Sequence, residues 1–394
     1  VLEPPRYRSL ILAGLGAVGR ALCIIGRREL ASFEQVVAVD RRPLPPFVEL
    51  PTGVRFEQWD ITDTARLTKL LDTLPKPVLF VNLCVGIDNL PLRRFMADRE
   101  VAYLDSACCA PAGSNEVRFS RMMPHSLAPV ESRHPQWLCW GINPGMVEIV
   151  ARRLIDDAGR PGPFSVTVFE HDEIHTDTSG ERVAVGWCCD SLIEEVMESP
   201  SYFVAGGRDV EDVEPGTRPL TARWNGAAVA SRLVGHEDIW NLGRIESVRD
   251  AAFVYGLHPR IMAIFDTGEV AAAKETFYVP DPTEPVYGLE RVAVQVRADD
   301  ADVYHRTLLW QEDHHQTWQR FRINAVQYQT AKSVLFAMLL LHESPFGAIP
   351  GNHTASSLPI DRDTWPVIDS YLRRLDIAWQ DATPLGLTCL PEVF

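Results

Sequence analysis

Short apolar runs alternate with amphipathic stretches through the first 145 residues. Residues 9–13, 36–40, 54–57, 77–82, 101–105 and 137–142 read as strands, most of them apolar on both faces. Between them, residues 17–31, 62–73 and 88–99 read as helices. Strands alternating with helices predict an α/β fold with a doubly wound parallel sheet, the Rossmann architecture. Another helix is expected over about 145–158. The run Gly159-Arg-Pro-Gly-Pro163 then breaks the pattern and is the expected hinge.

Beyond the hinge the pattern shifts to period two. Residues 164–170, 253–257, 262–266 and 291–298 read as strands of a mixed sheet, and 182–198 and 325–342 as helices. The expected organisation is a dinucleotide-binding Rossmann domain over 1–158 and an α+β substrate and dimerisation domain over 159–345. A Pro-rich tail over 346–394, with a helix near 364–374, is expected to return to the first domain. No internal repeat is present.

The first turn carries the most specific motif. Gly14-Leu-Gly16-Ala-Val-Gly19 follows a strand and opens a helix, and Asp40 ends the next strand some twenty residues on. In this pattern Gly14 allows the tight turn, and Gly16 lets a pyrophosphate approach the backbone. Gly19 lets helix and strand pack closely, and the helix N-terminus offers free N–H donors. Asp40 can accept from both ribose hydroxyls, which favours NAD. Arg41 and Arg42 keep NADP open, since either can meet a 2′-phosphate. Asn82 and Ser106 stand just past the ends of two further strands, where ligands of parallel sheets lie. Each is either a cofactor contact or a loop cap.

Composition narrows the partners. The chain has 394 residues, 46% hydrophobic and 23% charged, which excludes a disordered chain and suggests two domains or three. No apolar run is long enough for a membrane span. Residues 1–5 lack the basic and apolar regions of a signal peptide, so a cytoplasmic location and no membrane partner are expected. Net charge is −15, and nearly all cations are Arg, with Lys only at 69, 76, 274 and 332. Nucleic acid is therefore not an expected partner. Eight cysteines, at 23, 84, 108, 109, 139, 188, 189 and 389, form no C-x-x-C pair and read as free thiols.

No metal site is expected. His171 and His175 have zinc-helix spacing, but the segment follows an alternating strand, where that spacing gives no shared face. His314 and His315 lie in a polar stretch and read as a surface turn. More telling are Glu170, which ends an apolar strand, and Trp187, followed by Asp190, Glu194 and Glu195. If residues 182–198 are one helix, Trp187 shares a face with Glu194 or Glu195. An aromatic face beside carboxylates suits an ammonium group, although a core Trp on an acidic surface helix has the same pattern. His236, in His236-Glu-Asp238, is open to a structural or a catalytic reading.

Taken in order, the motifs resemble the homospermidine synthase-type members of the saccharopine dehydrogenase superfamily. The resemblance rests on Leu12-Ala-Gly-Leu-Gly-Ala-Val-Gly-Arg20, Val81-Asn-Leu-Cys-Val85, Tyr103-Leu-Asp-Ser106 and Asn143-Pro-Gly-Met-Val147. It continues through Phe169-Glu-His-Asp172, Gly186-Trp187 running to Glu195, Gly235-His-Glu-Asp238 and Tyr255-Gly-Leu-His-Pro259. It implies a homodimer that holds NAD as a recycled cofactor. Such an enzyme oxidises an amine to an imine, exchanges the amine and returns the hydride. By position, the resemblance gives Glu170 and Glu195 the anchoring of substrate amines and Trp187 a cation–π role. Asn143 and His236 become polar neighbours of the reacting amine. Where the family places a further Glu, this chain has Cys109, which implies altered amine specificity. Two other readings stay open. One is a saccharopine-type reductase condensing an amine with an aldehyde or keto acid. The other is a non-catalytic dinucleotide-binding regulator.

Overall fold

The computed structural model describes residues 3–44, 49–109, 111, 113–114, 116–177, 180, 182–298 and 304–388. The chain forms two compact units. Val1–Glu116, Met122–Met146 and Thr330–Ile377 make the first, and Val117–Arg121, Val147–Gln329 and Ala378–Phe394 the second.

The first unit is built on an all-parallel sheet of seven strands. Their order is Gly351–His353, Pro135–Trp137, Ala102–Asp105, Val78–Asn82, Ser9–Ala13, Gln35–Asp40 and Val54–Gln58. Ser9–Ala13 and Val78–Asn82 are buried throughout, as central strands of a two-sided sheet must be. The sixth strand is shorter than its apolar run. Cys139 takes a left-handed φ of 63°. Its N–H and that of Trp140 turn to Asp105, on Oδ1 at 2.7 Å and on the carbonyl at 2.8 Å, which ends the ladder. Gly351–His353, from the tail, adds the edge strand.

The compact units part at Met146, twelve residues before the boundary expected at 158/159. Glu148, in the helix Met146–Asp157, is fully buried and accepts from Asn241 Nδ2 at 2.9 Å, and Tyr304 donates to the Leu154 carbonyl. Those contacts tie the helix to the second unit, so Gly159–Pro163 is an internal turn. The tail also divides. Its stretch to Ile377 belongs with the first unit, while Gln380–Asp381 and Gly386–Thr388 pair in the second unit's sheet. Cys389 lies outside the described residues.

The second unit is an α+β structure on a mixed sheet of ten strands. At its centre Phe164–Asp172 runs parallel to Val248–Leu257 and antiparallel to Leu289–Ala298. Three local expectations change. Residues 262–266 lie in the helix Pro259–Thr267: His258 caps it, Pro259 starts it with φ already fixed, and Gly268 ends it at φ 72°. Residues 182–198 are not one helix. Val183–Ala184 is a short strand, the helix starts at Cys189, and Glu194–Glu198 winds as a π-turn. His314 is no surface residue: it is fully buried at the start of the helix His314–Phe321.

Candidate active site

The first unit builds the glycine turn. Gly14 has φ 93°, a conformation that L side chains resist, and a Cβ there would lie 2.8 Å from the Leu83 backbone. On Gly19 a Cβ would stand 2.0 Å from the Gly14 carbonyl oxygen, so close packing of turn and helix demands glycine. Gly16 differs. A Cβ there would meet only the Arg42 guanidinium, at 3.7 Å. No protein atom explains that glycine, whereas a phosphate at the N-terminus of Ala17–Ile25 would. Asp40 ends its strand with each carboxylate oxygen accepting a backbone N–H, from Leu15 at 2.7 Å and from Arg42 at 2.8 Å. It therefore shapes the turn. These residues fit a dinucleotide.

Asn82 is buried. Its amide donates to Asn89 Oδ1 at 2.9 Å and Tyr103 Oη at 3.0 Å, and its oxygen accepts from the Cys84 N–H at 3.1 Å. Its side chain organises the loop after the strand. Ser106 is partly exposed just past Ala102–Asp105, as a cofactor contact would need. Asn143 also belongs to the first unit, in the loop closed by the hydrogen bonds between Gly141 and the Pro144 carbonyl and between Met146 and the Gly141 carbonyl.

The second unit brings Glu170, Trp187, Glu195 and His236 together. Glu170 pairs in register with Tyr255 on the parallel neighbour, and Trp187 Nε1 donates to the Tyr255 hydroxyl at 3.2 Å. His236 stacks on Phe253, two residues along the same strand, with ring centroids 4.5 Å apart. The His236 Nδ1 bonds Asp238 Oδ1 at 2.9 Å, and Nε2 faces Glu195 Oε1 at 3.7 Å. Glu237 adds a third carboxylate at 3.6 Å. Glu195 reaches this place because the π-turn rotates it inward, while Asp190 and Glu194 stay exposed.

Electrostatics separates the two partners. Burial disfavours the charged imidazole, but Asp238, Glu237 and Glu195 outweigh it and push His236 up to about 10. Burial pushes Glu195 up to about 8 against the pull of His236, with Glu170 adding to the rise. Near neutral pH, His236 is therefore a cation oriented by Asp238. Glu195 is the group poised to take or give a proton.

Sequence reasoning missed Asp172, Glu290 and His314. All three are buried, with one ligand-type atom of each within 4.8 Å of the others, the one metal-like group among the described residues. Hydrogen bonds account for two of its members. The His314 Nδ1 accepts the Ala325 N–H at 3.1 Å, so Nε2 carries the proton and donates to Asp172 Oδ1 at 3.0 Å. A signal did exist: Glu170 and Asp172 are two apart on an apolar strand and share one face. His171 points to the other face, where it meets Arg291 at 3.2 Å, and His175 is exposed.

No family model and no curated protein matches the chain. Solved structures match in fold. A homospermidine synthase from Legionella pneumophila, in complex with NAD, aligns with a TM-score of 0.73 at 16% identity, over 97% of this chain and 92% of that one. Apo saccharopine dehydrogenase (L-Glu forming) from Saccharomyces cerevisiae aligns with a TM-score of 0.59 at 10% identity, over 97% and 100%. The shared fold agrees with the resemblance read from the motifs.

Proposed function

We propose that the protein is an NAD-dependent oxidoreductase acting on the C–N bond of a diamine or related amine, in the manner of homospermidine synthases. The observation that carries this reading is the cluster in the second unit. Glu195, Asp238 and Glu237 surround a single cationic side chain, His236, Glu170 lies beside Glu195, and Trp187 offers an aromatic face on Tyr255. Such a surplus of partly buried carboxylates suits an ammonium ligand. The glycine turn of the first unit supports the dinucleotide, and NAD in the Legionella structure supports its identity.

A nicotinamide dinucleotide held by the Gly14–Gly19 turn and Asp40 would supply the hydride acceptor, and later the donor, for the carbon beside nitrogen. An ammonium cannot release that hydride, so the amine must first lose a proton. Glu195, with its carboxyl near 8, is the acceptor we assign, through the ionised fraction that grows toward pH 8. His236, charged to about 10, cannot take a proton at neutral pH and instead steadies the Glu195 carboxylate until the proton neutralises it. Glu170 anchors the ammonium, and Trp187 covers it by cation–π attraction.

One observation favours a narrower variant. Cys109 is partly exposed, with its N–H and carbonyl both bonded to the Ser126 hydroxyl, at 3.2 and 2.7 Å. A thiol here, where the resemblance expects a carboxylate, favours a substrate with one cationic group fewer. Reductive condensation of an amine with an aldehyde or keto acid is that second reading. Purified protein should release NAD on denaturation and be assayed against amines with mass detection. Ammonia release from a diamine without net NADH supports the synthase reading. Net NADH consumption with an amine plus a carbonyl compound supports the reductase. No turnover or binding of any amine would overturn both.

A further inference from the structure

Beneath the proposed amine anchor lies a second set of acids. In the antiparallel register Glu290 stands directly opposite Asp172, and Glu170 is two residues along the same strand. All three therefore project to one face of the sheet. They are 6%, 1% and 1% exposed for Glu170, Asp172 and Glu290. Three carboxylates this deeply buried cannot all be charged without a cation among them. His314 does not supply one, since its Nδ1 accepts an N–H and its Nε2 proton goes to Asp172. Arg291 is adjacent in sequence, but its guanidinium engages Glu173 at 2.7 Å and His171 at 3.2 Å on the opposite face. Tyr255, beside Glu170, stays a neutral phenol because of its burial and the acids around it.

Hydrogen bonding separates the acids. Asp172 Oδ1 accepts twice, from His314 Nε2 at 3.0 Å and from the Ile174 N–H at 2.8 Å, so its bonds are met without Glu290. Glu290 is diagonal to Glu170 across the ladder, within reach of its carboxyl, and its Oε2 is buried with no hydrogen-bond partner. Two carboxyls can hydrogen-bond only with a proton between them. We propose that Glu290 is a positioning residue: a neutral carboxylic acid that donates its O–H to Glu170, fixing the orientation of Glu170 and leaving it charged for the substrate amine. Burial and the neighbouring Glu170 and Asp172 hold Glu290 well above the usual carboxylate range, with Arg291 opposing weakly. The pair then presents one negative charge, matched to one ammonium.

This inference rests on the reading of Glu170 as the amine anchor, so its test has one arm free of amine. Infrared spectra of the full-length protein in D2O at neutral pD should show buried carboxylic-acid carbonyl bands, one that Glu290→Gln lacks and another, from Glu195, that Glu195→Gln lacks. The second arm measures binding of 1,4-diaminobutane. Glu290→Gln, still a neutral donor, should bind within about twofold of wild type, while Glu290→Leu should bind about tenfold more weakly, the worth of one hydrogen bond to a charged group. A band unchanged in Glu290→Gln but lost in Glu170→Gln would put the proton on the wrong partner and overturn the proposal. Equal weakening in Glu290→Gln and Glu290→Leu would do the same, because it would mean that the charge of Glu290 is used. If wild type binds no diamine, the amine reading falls, and the infrared arm still decides the state of Glu290. Should Glu290→Leu fail to fold, the Glu290→Gln comparison carries both arms.

Discussion

Glu195 and His236 face each other across 3.7 Å, and both are shifted upward, for opposite reasons. Burial raises the acid, while neighbouring acids raise the base. A cationic ligand should feel Glu195 change from neutral to charged near pH 8. Binding of 1,4-diaminobutane should tighten about tenfold between pH 6.5 and 9, the scale of one charge-assisted hydrogen bond. Calorimetry across that range checks it. Glu195→Gln should remove the step, and a step that persists in that variant would discard the assignment. A second residue-scale outcome concerns Cys108 and Cys139, whose sulfurs are 3.0 Å apart. Cys139 is buried and Cys108 partly exposed, so a small disulfide can reach only the latter. Oxidised glutathione should take two electrons from the pair, leaving a Cys108–Cys139 bond and two reduced glutathiones. Peptide mapping should find that link in wild type, and no such link after Cys108→Ser.

At the scale of elements, the glycines separate what the fold needs from what a ligand needs. On Gly186 a Cβ would lie 2.4 Å from Asp172 Oδ2 and 2.7 Å from Val326, in a buried place pinned by the Asn324 amide on the Gly186 carbonyl at 2.7 Å. Gly186→Ala should cost about 1–3 kcal/mol of stability by overpacking, read from urea unfolding. Gly16→Ala should leave the urea midpoint in place and weaken NAD binding by about tenfold, since only the approach of a phosphate is obstructed. Unchanged NAD affinity in Gly16→Ala would reject that use of the turn. The same contrast explains how much the sequence tells. The parallel sheet and its glycine turn were legible because their constraints are local: strand, turn, helix, then Asp40. Glu170, Trp187, Glu195 and His236 were legible as candidates, but the shared-helix argument for Trp187 and Glu195 fails. Trp187 precedes the helix, and a π-turn aims Glu195 inward. The depth of His314 and the pairing of Glu290 with Asp172 depend on register between segments far apart in the chain. No local pattern encodes that.

For the whole molecule, the charge of −15 matters through where the acids sit. Most lie outside the core. Glu195 and His236 are largely buried, and their effects on stability have the same sign. Folding raises Glu195 from its ordinary value to about 8, so between about pH 4.5 and 8 the unfolded chain has released a proton that the folded protein keeps. Stability therefore falls as pH rises through that window. Folding raises His236 from 6.5 to about 10. Its contribution is complete below about 6.5 and is lost as pH rises through 10. The two windows overlap between about pH 6.5 and 8, where each group can contribute a slope approaching about 1.4 kcal/mol per pH unit. The free energy of unfolding in urea should thus decline from pH 6 to pH 9 in wild type. Glu195→Gln should flatten the lower part of that decline and His236→Asn the upper part. A stability that is level from pH 6 to 9 would mean that the cluster is far wetter than its burial indicates. Glu195 would then be ionised at neutral pH and not the poised proton acceptor.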